Sequence, residues 1–367
     1  MDMTANSALA WTLLIVAGAA NATFGLPMKF IRQWEWENTW ALWSVLALVL
    51  LPAMLAFFCV PSLPGVYRGA GAETLSIVFL LGAGWGVAQV LFGKAMHKIG
   101  IGLTFSIVLG LSAAAGSVLP MLRMRSETIG SDALVRIFAG LMLVVLGVSA
   151  CAEAGRRRER RQINVAAGSE SFMTGLIMAL CSGALASFMN LGLSFGNPIA
   201  AQAVIEGASE GTSVFAIWLP LLLGGAVPNL IYCGYLLRDK KTWALFGSAP
   251  RSANICLASA MAILWFFSTA LYGVAAQALG EWGGVVGWPV FMSVIVISAG
   301  LIGVVTGEWK HSGKSPILFQ AAGILLLVIA IVAFSAAHNR VEQPKLQTRT
   351  RAAVSRICVS MVEMYVR

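Results

Sequence analysis

The chain has 367 residues, of which 58% are hydrophobic and only 11% are charged, and its formal net charge at pH 7 is +9. A soluble domain does not need so much apolar surface, so the composition excludes the soluble globular classes and indicates a polytopic membrane protein. The basic residues occur in short segments between apolar runs, which is the positive-inside pattern rather than a nucleic-acid-binding surface. We therefore expect a lipid bilayer as partner and no nucleic acid.

Ten apolar runs are long enough to cross about 30 Å of hydrocarbon at about 1.5 Å per residue. Their predicted boundaries are 8–28, 38–60, 74–97, 100–122, 132–152, 172–196, 212–237, 253–278, 284–306 and 315–337. The loops that join runs 1–2, 3–4, 5–6, 7–8 and 9–10, together with Lys94 at the end of the third run, hold 15 of the 25 Lys and Arg residues. By the positive-inside rule, these loops are predicted to be cytoplasmic and both termini to lie outside. The six basic residues of the tail favour the reverse orientation, which remains an alternative.

One stretch of the chain occurs twice. Residues 85–100 are WGVAQVLFGKAMHKIG and residues 265–280 are WFFSTALYGVAAQALG, with Trp, Leu, Gly, Ala and Gly at matched positions. Five runs precede the basic segment 156–161 and five follow it, so the second half enters the membrane in the opposite sense. The sequence therefore predicts an all-α integral membrane protein with ten transmembrane helices in two inverted five-helix repeats. The repeats are residues 1–152 and 172–337, separated by a basic linker loop (153–171) and followed by a basic tail (338–367), either amphipathic or disordered.

Each copy of the repeated stretch carries an aromatic and partly polar helical face. At helical spacing, this face includes Trp85, Gln89, Phe92 and Met96 in the first copy and Trp265, Thr269, Tyr272 and Ala276 in the second. Such a face packs in a core or lines a cavity, and both interpretations remain open. We predict that the pair of faces lines a central cavity that binds substrate.

Two further runs contain polar groups that are costly in a membrane unless they meet a partner helix or a wet cavity. The sixth run carries Ser187, Asn190, Ser194 and Asn197 within about 80° of one another, and Asn21 holds the matching position in the first run. In the seventh run, Pro228 is predicted to bend the helix, with Asn229 and Tyr232 just beyond the bend. These groups either bond between helices or bind substrate.

None of the acidic residues lies in the middle of an apolar run. The candidates for coupling an ion to transport therefore lie at run ends: Glu37, Lys94, His97 and Glu281. Lys94 is more typical of a residue whose side chain extends to the membrane surface. Catalytic and nucleotide-binding motifs are missing, and the three His residues are far apart. We expect neither enzyme activity, nor a cofactor, nor a bound metal.

Several motifs resemble those of the bacterial L-rhamnose/proton symporters. The main one is Pro27-Met-Lys29 followed by Trp34-x-Trp36-Glu37-x-x-Trp40. The others are Gly84-Trp85-Gly86, Met189-Asn190, Gly224-Gly225-Ala226 and Glu308-Trp309. The resemblance covers residue 8 to about residue 337. It implies a branch of the drug/metabolite transporter superfamily with ten helices in two inverted repeats, in the bacterial inner membrane. Gln89 and Phe92 stand where the family pattern has Asn and Tyr, so a related sugar is an alternative to rhamnose.

The sequence thus predicts a secondary transporter that imports a small sugar, L-rhamnose or a relative, by proton symport. The apolar C–H face of a sugar would pack on the aromatic residues, and its hydroxyls would pair with the amide and hydroxyl side chains. The alternative is an exporter of amino acids or other small metabolites with the same fold. A cationic cargo would favour an acidic group in the middle of a helix, which the sequence lacks.

Overall fold

The computed structural model describes residues 3–122, 131–160, 169–307, 309 and 312–338. Within them, every regular element is helical, and ten helices are long and apolar enough to cross a membrane, which confirms the all-α class and the ten predicted runs. We number these ten in chain order as helix 1 (Ala8–Phe30), helix 2 (Trp36–Cys59), helix 3 (Ala72–Ile99), helix 4 (Leu103–Met121), helix 5 (Asp132–Arg158), helix 6 (Phe172–Ile205), helix 7 (Phe215–Asp239), helix 8 (Arg251–Ala278), helix 9 (Gly283–Val305) and helix 10 (Lys314–His338).

Helices 1 and 6 are both interrupted at a Gly-x-Pro sequence. Helix 1 is α-helical to Thr23 and continues after Gly25 as the 3₁₀ turn Leu26–Phe30, whose first residues include Pro27. Helix 6 consists of the α-segments Ser169–Ala186, Phe188–Phe195 and Asn197–Ile205, and Pro198 opens the third. Proline has no backbone N–H to satisfy, so it is tolerated in the first turn and favours a new helical segment.

Helices 2 and 9 contain short π-helical stretches. In helix 2, the stretch Leu46–Leu50 separates the α-segments Trp36–Val45 and Leu51–Cys59. Helix 9 begins with the π-helical stretch Gly283–Gly287 and continues as the α-helix Trp288–Val305. Helix 7 remains helical from Phe215 to Asp239 although it contains two prolines.

Helices 5 and 6 extend well beyond the ends that their hydropathy predicts. Helix 5 lies in an α-helix that runs from Ser131 to Arg160, so residues 153–160 of the predicted linker are helical. Glu153 forms ion pairs with Arg156 and Arg157, at spacings that stabilise a helix surface. Helix 6 extends to Ile205 instead of residue 196. The predicted linker residues 161–168 and tail residues 339–367 lie outside the described part of the chain.

Helices 3 and 8, which carry the repeated stretch, lie in the centre of the packing. Helix 3 packs along helices 6 and 7, and helix 8 packs along helices 1 and 2. A Cβ atom at Gly82 of helix 3 would overlap the carbonyl oxygen of Leu221, and one at Gly224 of helix 7 would overlap that of Phe79. Small residues let the backbones of helices 3 and 7 touch, as is common in membrane bundles.

Candidate functional site

The two repeated tryptophans contact each other. The indole rings of Trp85 in helix 3 and Trp265 in helix 8 stack with their centroids 5.7 Å apart and an interplanar angle of 26°. Both side chains are buried. The structure therefore brings together the two residues that the sequence predicted to face one cavity, and in this conformation they are in direct contact.

Helix 2 extends this contact into a longer row of rings. Trp43 meets Trp265 edge-on at 5.2 Å, Trp40 stacks on Trp43 at 4.4 Å, and Trp36 stacks on Trp40 at 5.2 Å. The spacing of i, i+4 and i+7 puts these three side chains on one face of helix 2. The helix start is fixed by a capping box between Glu35 and Asn38. We call Trp36, Trp40, Trp43, Trp265 and Trp85 the tryptophan column.

A buried amide on helix 7 fixes the middle of the column. Asn229 accepts a hydrogen bond from Trp40 Nε1 at 3.0 Å. Its Nδ2 donates to the carbonyl oxygens of Gly225 at 2.9 Å and of Gly86 at 3.5 Å. The side chain thereby joins helices 2, 3 and 7. Tyr232, one turn further along helix 7, lies 6.3 Å from Trp36, measured between ring centroids.

Asn190 in helix 6 forms the second amide anchor. Its Nδ2 donates to the carbonyl oxygens of Gly116 at 2.7 Å and of Gly284 at 2.9 Å, and its Oδ1 accepts from the Tyr272 hydroxyl at 2.6 Å. Asn190 and Tyr272 are fully buried. This one side chain therefore joins helices 4, 6, 8 and 9, and it brings together two residues that the sequence predicted as substrate-binding.

The other predicted residues of helix 6 bond to their own backbone. Ser187 Oγ donates to the carbonyl oxygen of Ala184 at 2.6 Å, and Ser194 Oγ donates to that of Asn190 at 3.1 Å. Asn197 is exposed, because helix 6 is interrupted at Gly196. The polar face predicted from an uninterrupted helix is thus divided, with Ser187 and Asn190 in the core and Asn197 at the surface.

Three further predicted residues lie in helices 1 and 3. Asn21 Nδ2 in helix 1 donates to Ser268 Oγ in helix 8 at 3.1 Å. Phe92 meets Phe105 edge-on at 4.9 Å and packs in a separate small cluster of apolar residues from helices 3, 4 and 6. Gln89 is half-buried. Phe92 therefore packs away from the tryptophan column, although it shares a helical face with Trp85.

A buried carboxylate lies at the helix 2 end of the column. Glu37 is fully buried, and its Oε2 accepts from Lys240 Nζ at 3.1 Å while its Oε1 accepts from Thr242 Oγ1 at 2.9 Å. Asn38 Nδ2 donates to the carbonyl oxygen of Thr242 at 2.9 Å. Nearby, Trp34 meets Phe246 edge-on at 5.3 Å. Residues 34–38 and 240–246, which we call the loop junction, thus hold helix 2 against the loop between helices 7 and 8.

The other three coupling candidates lie at the surface. Lys94, His97 and Glu281 are exposed. The Lys94 ammonium is 5.0 Å from the centroid of the Tyr232 ring, in a cation–π contact. Among the four candidates, only Glu37 is removed from solvent and tied to residues of the other half of the chain.

Sequence reasoning missed five residues of this arrangement: Trp36, Trp40, Trp43, Lys240 and Thr242. The tryptophans had a usable signal, since their spacing predicts one helical face, whereas Lys240 and Thr242 had none. In the part of the chain that the structure describes, no group of three or more His, Cys, Asp or Glu side chains could hold a metal ion.

Comparison with known proteins identifies similar transporters. The sequence model of one family, described as L-rhamnose-proton symport protein (RhaT), matches residues 2–337. The L-rhamnose-proton symporter of Mannheimia succiniciproducens is 26% identical over 322 residues, which cover 86% of this chain and 93% of the relative. The symporter of Cronobacter sakazakii is 25% identical over 334 residues, which cover 89% of this chain and 96% of the relative. The symporter of Escherichia coli is 23% identical over 323 residues, which cover 86% of this chain and 94% of the relative. The family match includes all ten helices, the tryptophan column and the loop junction.

Proposed function

Because the chain belongs to the L-rhamnose-proton symport protein (RhaT) family, we propose that it imports L-rhamnose or a closely related sugar together with a proton. The observation that carries this proposal is the tryptophan column, which the buried amide of Asn229 contacts, together with a second buried amide at Asn190. Indole faces suit the apolar C–H side of a sugar, and each amide oxygen, which accepts one hydrogen bond in the structure, can accept a second from a sugar hydroxyl. The proposed location is the bacterial inner membrane.

The proposal includes two inverted five-helix repeats, as in the drug/metabolite transporter superfamily. Trp85 and Trp265 hold equivalent positions in the repeated stretch and contact each other, as residues beside a pseudo-two-fold axis would. In such a repeat, helices 1, 2 and 3 correspond to helices 6, 7 and 8. Helix 3 packs on helices 6 and 7, and its counterpart, helix 8, packs on helices 1 and 2 in the same way. The interruptions of helices 1 and 6 at Gly-x-Pro also correspond. These three correspondences support the repeat.

The proposed substrate site is the Trp85–Trp265 contact. A ring held between two stacking partners needs about 7 Å between their planes, because each carbon–carbon contact takes about 3.5 Å. The two indoles have centroids 5.7 Å apart, so a sugar must separate them or displace one. We propose that this separation accompanies binding, and that Asn190, Asn229 and Tyr272 supply polar partners for the sugar. Asn21, Gln89, Ser187, Ser194 and Tyr232 remain further candidates for contact with the sugar, whereas Phe92 packs away from the tryptophan column.

The proposed coupling residue is Glu37. Its carboxylate is buried against Lys240 and Thr242, which belong to the other half of the chain. A proton on Glu37 would remove the negative charge that Lys240 pairs with, so the loop junction would loosen. The proton and the movement of the two halves would thereby be linked. Trp36, next to Glu37 in the chain, joins this junction to the tryptophan column.

Uptake of radiolabelled L-rhamnose into proteoliposomes tests the proposal. We expect accumulation when the outside is more acidic than the inside, and loss of accumulation when a protonophore dissipates the gradient. Competition by a series of unlabelled deoxy sugars and aldoses would identify the preferred substrate. Protein-free liposomes and the Glu37→Gln variant serve as controls. If no sugar accumulates under any gradient while amino acids exchange, the exporter alternative replaces this proposal.

A further inference from the structure

Helices 4, 5 and 6 form a groove of about 470 Å³ with a mainly apolar lining. Along helix 4 it extends from Leu103 to Ala114, which is roughly 16 Å at 1.5 Å per residue. Half of a hydrocarbon core of about 30 Å has nearly this length. Leu180, on the helix 6 side, is exposed, so the groove can be reached from the surface. The groove therefore matches a lipid acyl chain of one leaflet in length and polarity.

The groove has a charged end at Glu153 and Arg156. Arg156 Nε and Nη2 donate to the Glu153 carboxylate at 2.6 and 2.7 Å, and Arg157 Nε donates to the same carboxylate at 2.7 Å. Arg157 also bonds to Ser315 of helix 10, so two guanidinium groups share one carboxylate and this cluster has a net charge of +1. A guanidinium has five N–H donors, so Arg156 can bind a phosphate while it remains paired with Glu153.

We propose that this groove binds an anionic phospholipid, with one acyl chain along helix 4 and the phosphate at Arg156. Arg156 is two residues from the end of helix 5, which is the depth of a headgroup when the acyl chain occupies the leaflet beside it. A zwitterionic lipid would use the same apolar lining but would gain less from the net positive charge. Basic pockets between membrane helices are typical sites for anionic headgroups.

The site joins the two halves of the chain. Helices 4 and 5 precede the linker, and helix 6 follows it. A lipid in the groove contacts all three, so it would stabilise the position of helix 6 against the first half. This role is independent of the sugar site, because no residue of the groove belongs to the tryptophan column or to the loop junction.

Native mass spectrometry of the purified full chain, with dioleoylphosphatidylglycerol or dioleoylphosphatidylcholine added, tests the proposal. We expect one phosphatidylglycerol to bind more tightly than phosphatidylcholine. Arg156→Gln should lower the affinity for phosphatidylglycerol about fivefold, the contribution of one basic residue near a membrane surface, and leave that for phosphatidylcholine unchanged. Glu153 keeps its bond to Arg157 in this variant, so no buried charge loses its partner.

A second variant tests the acyl-chain part separately. A Cβ atom at Gly110 has no atom within 4 Å, so Gly110→Leu should fill the groove without a clash and weaken the binding of both lipids. Gly234→Leu is the matched control, since Gly234 in helix 7 is equally open and lies outside the groove. If Gly110→Leu is not recovered folded, Ala114→Leu replaces it with the same expectation. Equal affinities for the two lipids, or unchanged phosphatidylglycerol binding after the groove is filled, would overturn the proposal.

Discussion

Replacing Glu37 by Gln tests whether this carboxylate couples proton transport to sugar transport, and it leaves a side chain of the same size in the core. Gln keeps the size of Glu and can still accept a hydrogen bond from Thr242, but it carries no charge for Lys240 to pair with. Truncating one partner of a fully buried ion pair costs about 3–5 kcal/mol. The Lys240 side chain is 47% exposed, so water can solvate it after the change, and the cost falls to about 1 kcal/mol.

The variant should therefore remain folded and should exchange sugar across the membrane without coupling this exchange to a proton gradient. A neutral residue at position 37 imitates protonated Glu, so labelled sugar should exchange for unlabelled sugar across the membrane at a rate close to that of the wild type. Accumulation driven by a proton gradient should be lost. Both are measured in the same proteoliposomes, as counterflow and as gradient-driven uptake. Glu281→Gln, which changes an exposed carboxylate, is the control and should retain both.

Gradient-driven accumulation by Glu37→Gln would refute the coupling role directly. Loss of both activities would mean that the junction, rather than the proton, limits the movement. Lys240→Met distinguishes the two cases, because it removes the same ion pair but leaves a carboxylate that can still bind a proton. We expect Lys240→Met to retain coupled uptake, with a changed dependence on external pH.

Three further predictions concern the tryptophan column and the helix packing. Trp265→Ala should raise the KM for sugar uptake roughly ten- to a hundred-fold, because the lost contact is mainly apolar area. Trp265→Phe should raise the KM much less, and an unchanged KM in Trp265→Ala would exclude stacking. Asn190→Leu should lower the melting temperature as well as abolish uptake, since it leaves the Tyr272 hydroxyl and two carbonyls without their partner, at about 1–3 kcal/mol for each unsatisfied buried group. Gly82→Ala should prevent recovery of folded, monodisperse protein, because its Cβ would overlap the backbone of helix 7, while Gly93→Ala on the same helix meets open space and should be tolerated.

The ten helices could be predicted because hydropathy reports contact with lipid directly. It failed at the ends of helices 5 and 6, where other forces decide. Arg156 and Arg157 end the apolar run, but their ion pairs with Glu153 keep the helix intact. In helix 6, Gly196 and Pro198 predict an end, and yet Pro198 begins another helical segment. Local sequence indicates where a regular helix is interrupted, but not whether the chain continues in the same direction.

Which residues of the candidate site contact each other was predictable only where the sequence repeats itself. Trp85 and Trp265 could be paired because their surroundings match, and the structure brings them together. The sequence identifies Glu37 as a carboxylate at the end of an apolar run. Its contacts with Lys240 and Thr242 involve residues 203 and 205 positions away in the chain. No local pattern carries that information. The amide anchors are similar, since Asn190 bonds to groups 74, 82 and 94 residues away.

The strengths of these contacts indicate where the molecule can open. Separating Asn190 from its three partners would leave several buried polar groups unsatisfied, at about 1–3 kcal/mol each. Separating Trp85 from Trp265 breaks no hydrogen bond between them, and an aromatic pair contributes only about 0.5–1.5 kcal/mol beyond its buried area. A sugar that stacks on the freed indole restores most of that apolar contact. We therefore expect the helices to move apart at the tryptophan pair while the amide anchors stay intact. Substrate binding would then compensate for the contact that it breaks.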